Sequence, residues 1–157
     1  MRITILVTGK TKDACLQKLT EEYLDRLQHY VKIDFQVLPE LKNTKNLPIA
    51  LQKEKEGEII LKTVELTDEL VLLDERGTEY TSVGFAGLLK NRMNGSTKRM
   101  IFAVGGPFGF SPAVYLRANL QISLSKMTFS HQMIRVFLAE QMYRAMTIIR
   151  GEQYHNE

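Results

Sequence analysis

The sequence predicts an α/β domain built on a mostly parallel sheet with helices on both faces. Three observations predict it. Short apolar runs alternate along the chain with segments of helical spacing, the order that strand–helix crossovers produce. Three of those runs discharge into unusual loops, at 74–77, 105–109 and 125–130, and in open parallel sheets ligands sit off the carboxyl ends of strands. The length of 157 residues and the 44% apolar content suit a single domain, spanning 1–157, with a core of its own.

The elements follow in order. Arg2–Val7 reads as a buried first strand, with too little basic character and no small-residue site after it for a signal peptide. Leu16, Leu19, Tyr23 and Leu27 keep helical spacing within Lys12–Tyr30, and Cys15 is expected as a small core residue of that helix. Val31, Ile33, Phe35 and Val37 alternate with polar neighbours, the pattern of a half-buried strand. The polar segment 39–48, bracketed by prolines, is a loop. The charged segment 49–63 is a helix despite Gly57.

Thereafter the rhythm is regular. Leu70–Leu73 is a strand that ends in Asp74-Glu75-Arg76-Gly77, and a helix runs from Ser82 to Met93. Met100–Val104 is a strand that stops in GGPFG, where Ser111-Pro112 then supplies an N-cap and a first-turn proline. Leu120–Leu124 is a fifth strand, and Ser130 caps a long helix that reaches Arg150.

The loops carry the chemistry. Gly105 and Gly106 permit positive φ and put no Cβ in the way of a flat ligand, while the helix start beyond them offers free N–H groups. A tight strand-to-helix turn would need the same residues, and neither phosphate-loop spacing is present. Met127 and Phe129, set among hydroxyl residues before a helix, either pack on their own domain or wall an aromatic ligand such as an adenine ring. The last helix is apolar nearly all round, which predicts a second buried face and a homodimer. Glu140 and Arg144 are spaced for an ion pair, with Arg144 also free to meet an anion. His131, in the first helical turn, reads as neutral and structural.

Net charge is +3, unevenly spread. Residues 1–83 hold 12 basic and 15 acidic side chains, and residues 84–157 hold 9 and 3. The second half is thus suited to an anionic partner. The lone cysteine excludes a disulfide framework and a cysteine zinc site within one chain, and fits a reducing cytoplasm. No apolar stretch is long enough to span a membrane.

With these segments assembled, the sequence resembles a known family. The resemblance rests on ITILVTGK at the start, KEKEGE at 53–58, GGPFGFSP at 105–112, LSKMTFSHQMIRVFLAEQMYRA at 124–145 and Tyr154-His155 near the end. Together they look like the RlmH family, small SPOUT-class methyltransferases acting on large-subunit ribosomal RNA. The resemblance implies a SPOUT-type fold with a C-terminal trefoil knot. It implies S-adenosylmethionine as cofactor, no metal, and a cytoplasmic homodimer whose pocket is completed by the partner chain. The implied substrate is N3 of a pseudouridine in 23S rRNA within the assembled ribosome. A non-catalytic ribosome-binding factor and a small-molecule methyltransferase on the same scaffold are the alternatives.

Carried onto this chain, the implied cofactor positions are Leu73, Gly105, Gly106, Ser125, Lys126, Met127, Thr128, Phe129 and Ser130. For the methyl transfer itself, His155 is the candidate general base for the N3 proton, Tyr154 the candidate to stack on or bond to the base, and Arg144 the candidate to stabilise charge on the ring. Two residues depart from the family pattern. Ser130 stands where proline is common, and Asn156 stands where a cation often follows the Tyr-His pair.

Overall fold

The structure, a computed structural model, describes residues 1–155; Asn156 lies outside the described residues. Its elements are β1 (Arg2–Thr8), α1 (Ala14–Gln28), β2 (Lys32–Leu38), α2 (Ile49–Thr63), β3 (Glu69–Glu79), α3 (Ser82–Asn94), β4 (Arg99–Val104), α4 (Pro112–Arg117), β5 (Leu120–Ser123) and α5 (Met133–Arg150). A 3-10 turn, Thr44–Asn46, lies in the proline-bracketed loop. The five strands form one sheet in the order β2-β1-β4-β3-β5, and every pairing is parallel.

Side-chain alternation along the strands divides the core in two. Ile3, Ile5 and Val7 of β1 with Met100, Phe102 and Val104 of β4 face α1, α3 and α5, where Leu27, Phe85, Leu89, Leu138, Met142 and Met146 meet them. Leu6, Leu70, Leu72, Ile101 and Ala103 point the other way, onto Ile60 of α2 and Val114 of α4. Helices therefore cover both faces. Each of these large side chains, taken from water, contributes about 1.5–3 kcal/mol before the cost of ordering the chain.

Four local expectations are corrected. β3 continues to Glu79 instead of stopping at Leu73, because the chain bulges and pairs again: Ile122 of β5 is the partner both of Leu73 and of Thr78. The four residues Asp74–Gly77 are thus an insertion that β5 does not match, the kind of bulge that re-aims side chains at the end of a strand. β5 ends at Ser123. α5 begins at Met133 with Gln132, not Ser130, at its N-cap position; His131 and Gln132 form a turn first, and Ser130 Oγ accepts the Met133 N–H at 3.2 Å from before that turn. Cys15 is exposed, since it precedes the inward stripe of α1.

Two glycines are explained by close approach. A Cβ on Gly57 would strike the Ser111 side chain, so glycine lets α2 press against the start of α4. A Cβ on Gly77 would lie 2.6–2.7 Å from backbone atoms of Gln121 and Ile122, which cannot move aside as a side chain would. Gly77→Ala is expected to cost about 2 kcal/mol or more, which at this size lowers the thermal midpoint by roughly 4–8 °C. Scanning calorimetry against Gly87→Ala, where a Cβ meets nothing within 4 Å, is the check; equal midpoints for the two variants would mean that β3 does not cross β5 here.

Candidate active site

Because β4, β3 and β5 are neighbours, their carboxyl ends deliver the three unusual loops to one place. They enclose a cavity of about 310 Å³ lined by Leu73–Arg76 of the β3 bulge, Val104–Phe110 after β4, Tyr115 of α4, Ile122–Ser125 and Met127–Phe129 after β5, and His131 and Ile134 at the start of α5. This volume lies at the small end of the range for organic ligands.

Each wall has a local cause. Gly105 and Gly106 are needed for packing behind the loop and not for positive φ, which in this loop only Gly109 adopts. A Cβ on Gly105 would sit 3.2 Å from the Phe110 ring, and one on Gly106 would sit 2.8 Å from Oε2 of Glu56. Glu56 is buried and accepts a hydrogen bond from Gln52 at 2.9 Å, so a carboxylate supports the loop from beneath. Phe110 meets Tyr115 edge-on at 5.9 Å. On the opposite wall the loop after β5 is shaped by its own hydroxyls. Ser125 Oγ accepts the Met127 N–H at 2.9 Å and Ser123 Oγ donates to the Ser125 carbonyl at 2.8 Å. That loop leaves Met127 74% exposed and sets Phe129 against Phe137 at 4.9 Å between ring centroids.

The bulge and the loop are strapped together. Thr128 Oγ1 donates to Glu75 at 3.1 Å, and the Lys126 ammonium lies 3.8 Å from Glu79. Of the positions the resemblance implied for the cofactor, Leu73, Gly105, Gly106, Ser125, Met127, Thr128 and Phe129 line the cavity, whereas Lys126 and Ser130 do not.

Sequence reasoning did not single out Asp74, Arg76 and Tyr115 as site residues. Asp74 takes two hydrogen bonds from the Arg76 guanidinium, at 3.1 and 3.2 Å, and one from its backbone N–H at 2.9 Å. Tyr115 donates its hydroxyl to the same carboxylate and accepts from Arg76 at 2.6 Å. Burial alone would raise the Asp74 carboxyl, but the bonds from Arg76 and Tyr115 outweigh it and bring it down to about 2. Tyr115 is raised, first by burial and then by Asp74. The available signal was a strand ending in Asp-Glu-Arg-Gly; the tyrosine, 41 residues on, had none. Burial, then the nearby charge of Arg135, lower His131, so it is the neutral imidazole that borders the cavity.

The three candidate catalytic residues stand together, but elsewhere. Arg144 pairs with Glu140 Oε1 at 2.5 and 3.0 Å and lies 4.8 Å over the Tyr154 ring. Nδ1 of His155 is 3.4 Å from the Arg144 guanidinium, which can only donate. Tyr154 shares its hydroxyl with Glu140 at 3.3 Å and Tyr23 at 3.5 Å. Burial first, then those two neighbours, raise its pKa, and it stays a phenol. None of the three lines the cavity, and Arg144 is ten residues beyond Ile134, about 15 Å along the helix.

The comparisons with known proteins fit this geometry. The family described as "Predicted SPOUT methyltransferase" matches residues 1–155. Among curated proteins, "Ribosomal RNA large subunit methyltransferase H" of Parabacteroides distasonis is 54% identical over 157 residues, covering 100% of both chains. The protein so named from Christiangramia forsetii is 53% identical over 156 residues, 99% of each chain. That of Bacteroides thetaiotaomicron is 51% identical with 100% of both covered.

The chain belongs to the RlmH family of SPOUT methyltransferases. As a methyltransferase of this family, it carries its cleft where three strand ends converge. Among the described residues no helix is long and apolar enough to cross a membrane.

The Asp74 carboxyl, lowered from 3.8 to about 2, sets an acid-stability prediction. A depressed pKa adds stability above the unfolded value, and that stability is lost as pH falls from about 4 toward 2. Asp74→Asn should lower stability at neutral pH by an amount on the order of 2 kcal/mol and flatten the stability curve between pH 4 and 2. Urea denaturation across that range is the measurement; a variant curve parallel to wild type would show that the contacts of Asp74 do not persist in solution.

Proposed function

We propose that the chain transfers a methyl group from S-adenosylmethionine to N3 of a pseudouridine in 23S rRNA, on the assembled ribosome in the cytoplasm. The observation that carries the reading is full-length identity of about half with proteins named for methylation of large-subunit ribosomal RNA. The walls of the cavity suit the cofactor. Leu73, Met127, Phe129 and Ile134 offer apolar surface to a purine, and the backbone at Gly105–Gly106 and Ser125–Thr128 offers polar groups to its edge. When bound, the sulfonium supplies an electrophilic methyl group. Everything else falls to positioning and to removal of the N3 proton.

His155 is the group for that proton, and Tyr154, held as a phenol, hydrogen-bonds to the base. Arg144 stabilises the negative charge that grows on the ring. In the present arrangement Nδ1 of His155 is turned to Arg144. Taking a proton there requires that contact to be exchanged for the nucleoside.

Cavity and Arg144–Tyr154–His155 cluster come together if two chains share each site. The supporting observation is the apolar face of α5: Met133, Phe137 and the adjoining Phe129 are exposed, and the same side of the helix continues to Glu140 and Arg144. A second copy seated there sets the tail cluster of one chain beside the cleft of the other. The trefoil knot implied by the resemblance belongs to the same reading, and what supports it is the match to the SPOUT family over residues 1–155.

Two outcomes are expected. His155→Ala lowers turnover about a hundredfold with unchanged calorimetric affinity for S-adenosylhomocysteine; turnover within threefold of wild type removes His155 as the base. Separately, His155→Ala mixed with Ser125→Trp, which puts a bulky side chain on a cleft-lining position, should recover about a quarter of wild-type activity, because half of the dimers are mixed and each of those holds one intact site of two. Mixtures as inactive as their components would place both halves of the site on one chain.

A further inference from the structure

Away from the cleft, the face shared by α1 and α5 carries arginines and tyrosines in alternation. The Arg26 guanidinium stands 5.4 Å from the Tyr23 ring centroid and 5.6 Å from that of Tyr143. Arg150 stands 4.4 Å from the Tyr30 centroid and donates to the His29 carbonyl at 3.1 Å. Tyr143 joins the set, its ring 6.1 Å from Tyr23, 5.7 Å from Tyr30 and 4.7 Å from Tyr154. Through Tyr154 the ladder runs without a break into the Arg144–His155 cluster.

Its charges are poorly neutralised. Arg26 is exposed and makes no ion pair among the described residues. Arg150 has Glu152 only at 4.0 Å, and that carboxylate already accepts the Tyr30 hydroxyl at 2.5 Å. The Tyr30 hydroxyl, raised to about 12 chiefly by that bond and then by burial, stays a donor.

We propose that this ladder is an RNA track. Arg26 and Arg150 take backbone phosphates of the strand flanking the nucleoside that reaches Arg144, Tyr154 and His155. Guanidinium is planar, permanently charged and weakly hydrated, and offers a fork that matches phosphate oxygens. A tyrosine face beneath it fixes the plane of that fork before RNA arrives, so less side-chain freedom is lost on binding. An acidic protein segment could meet the same charges. The unbroken run into the acceptor cluster favours the strand that must pass there. The inference rests on the ribosomal RNA reading above and adds to it the route of the substrate backbone.

The test uses Arg26→Gln, Arg150→Gln and the double variant, with assembled ribosomes from cells lacking the enzyme as substrate. KM should rise about three- to tenfold per substitution with kcat within twofold and unchanged calorimetric affinity for S-adenosylhomocysteine. The slope of log(kcat/KM) against log salt should become shallower by about 0.7 for each arginine removed. Arg26→Lys, which keeps the charge, should restore the slope. A double variant of wild-type thermal midpoint with unchanged KM and slope overturns the track. So does a change in its mass by light scattering, which would assign the face to a second copy. Wild-type enzyme silent on ribosomes would fail the function reading first, whereas active wild type with indifferent variants fails only the track.

Discussion

Arg135 is 1% exposed and spends its guanidinium entirely on main-chain and hydroxyl oxygens. It donates to the carbonyls of Thr8, Gly9 and His131 at 2.7, 2.9 and 3.0 Å, and to Thr11 Oγ1 at 3.0 Å. No carboxylate touches it among the described residues, and burial lowers its pKa. Burying a cation this way is costly unless its donors are satisfied. Satisfied, it ties the carboxyl end of β1 to the turn that opens α5. Gln132 adds to the same seam, its side-chain oxygen accepting the N–H of Lys12 at 2.8 Å. The cleft wall at His131 and Ile134 stands where it does because this seam is closed.

Given that seam, the placement of the site follows from strand order. β4 lies between β1 and β3, and β5 lies beyond β3, so the chain passes over β3 on its way from β4 to β5. The glycine loop, the β3 bulge and the Met127–Phe129 bend are therefore adjacent although they come from distant parts of the sequence. The bulge turns Asp74, Glu75 and Arg76 into the mouth of the cleft, where they meet Tyr115 and Thr128. One rim of the pocket is thus polar and rigidly hydrogen-bonded, and the other is apolar and exposed. The Arg144–Tyr154–His155 cluster lies at the far end of α5, where Tyr23 of α1 meets the Tyr154 hydroxyl at 3.5 Å.

Much of this was legible from residue patterns. Alternation in Ile33–Val37, the cap at Ser111-Pro112 and the helical spacing of Leu16–Leu27 each depend on neighbours within a few residues, and each produced the expected element. α2 formed through Gly57 because a packing need at Ser111 outweighed propensity. What stayed hidden depended on partners far away. The second pairing of β3 with β5 is decided at Ile122, and nothing around Thr78 announces it. Arg135 reads as one more polar residue on a helix until β1 is placed beside it. The glycines at 105 and 106 suggested a ligand-facing role, yet their immediate cause is Phe110 and Glu56 behind the loop. The family motifs located the cleft-lining residues well, since a cleft is made of short contiguous runs, but spacing could not separate Met127 and Phe129, which face it, from Lys126 and Ser130, which do not.

The bonds from Arg135 to Thr8 and Gly9 join positions 127 and 126 residues apart. Closure of so long a loop costs entropy before any contact rewards it, and chains dominated by such contacts fold slowly. Helices α1 and α3 can gather early from local contacts, but the cleft cannot exist in a half-formed molecule. Maturation of the cavity is then coupled to completion of the whole chain, and any ligand that fits it recognises only fully folded molecules, shifting the folding equilibrium toward them.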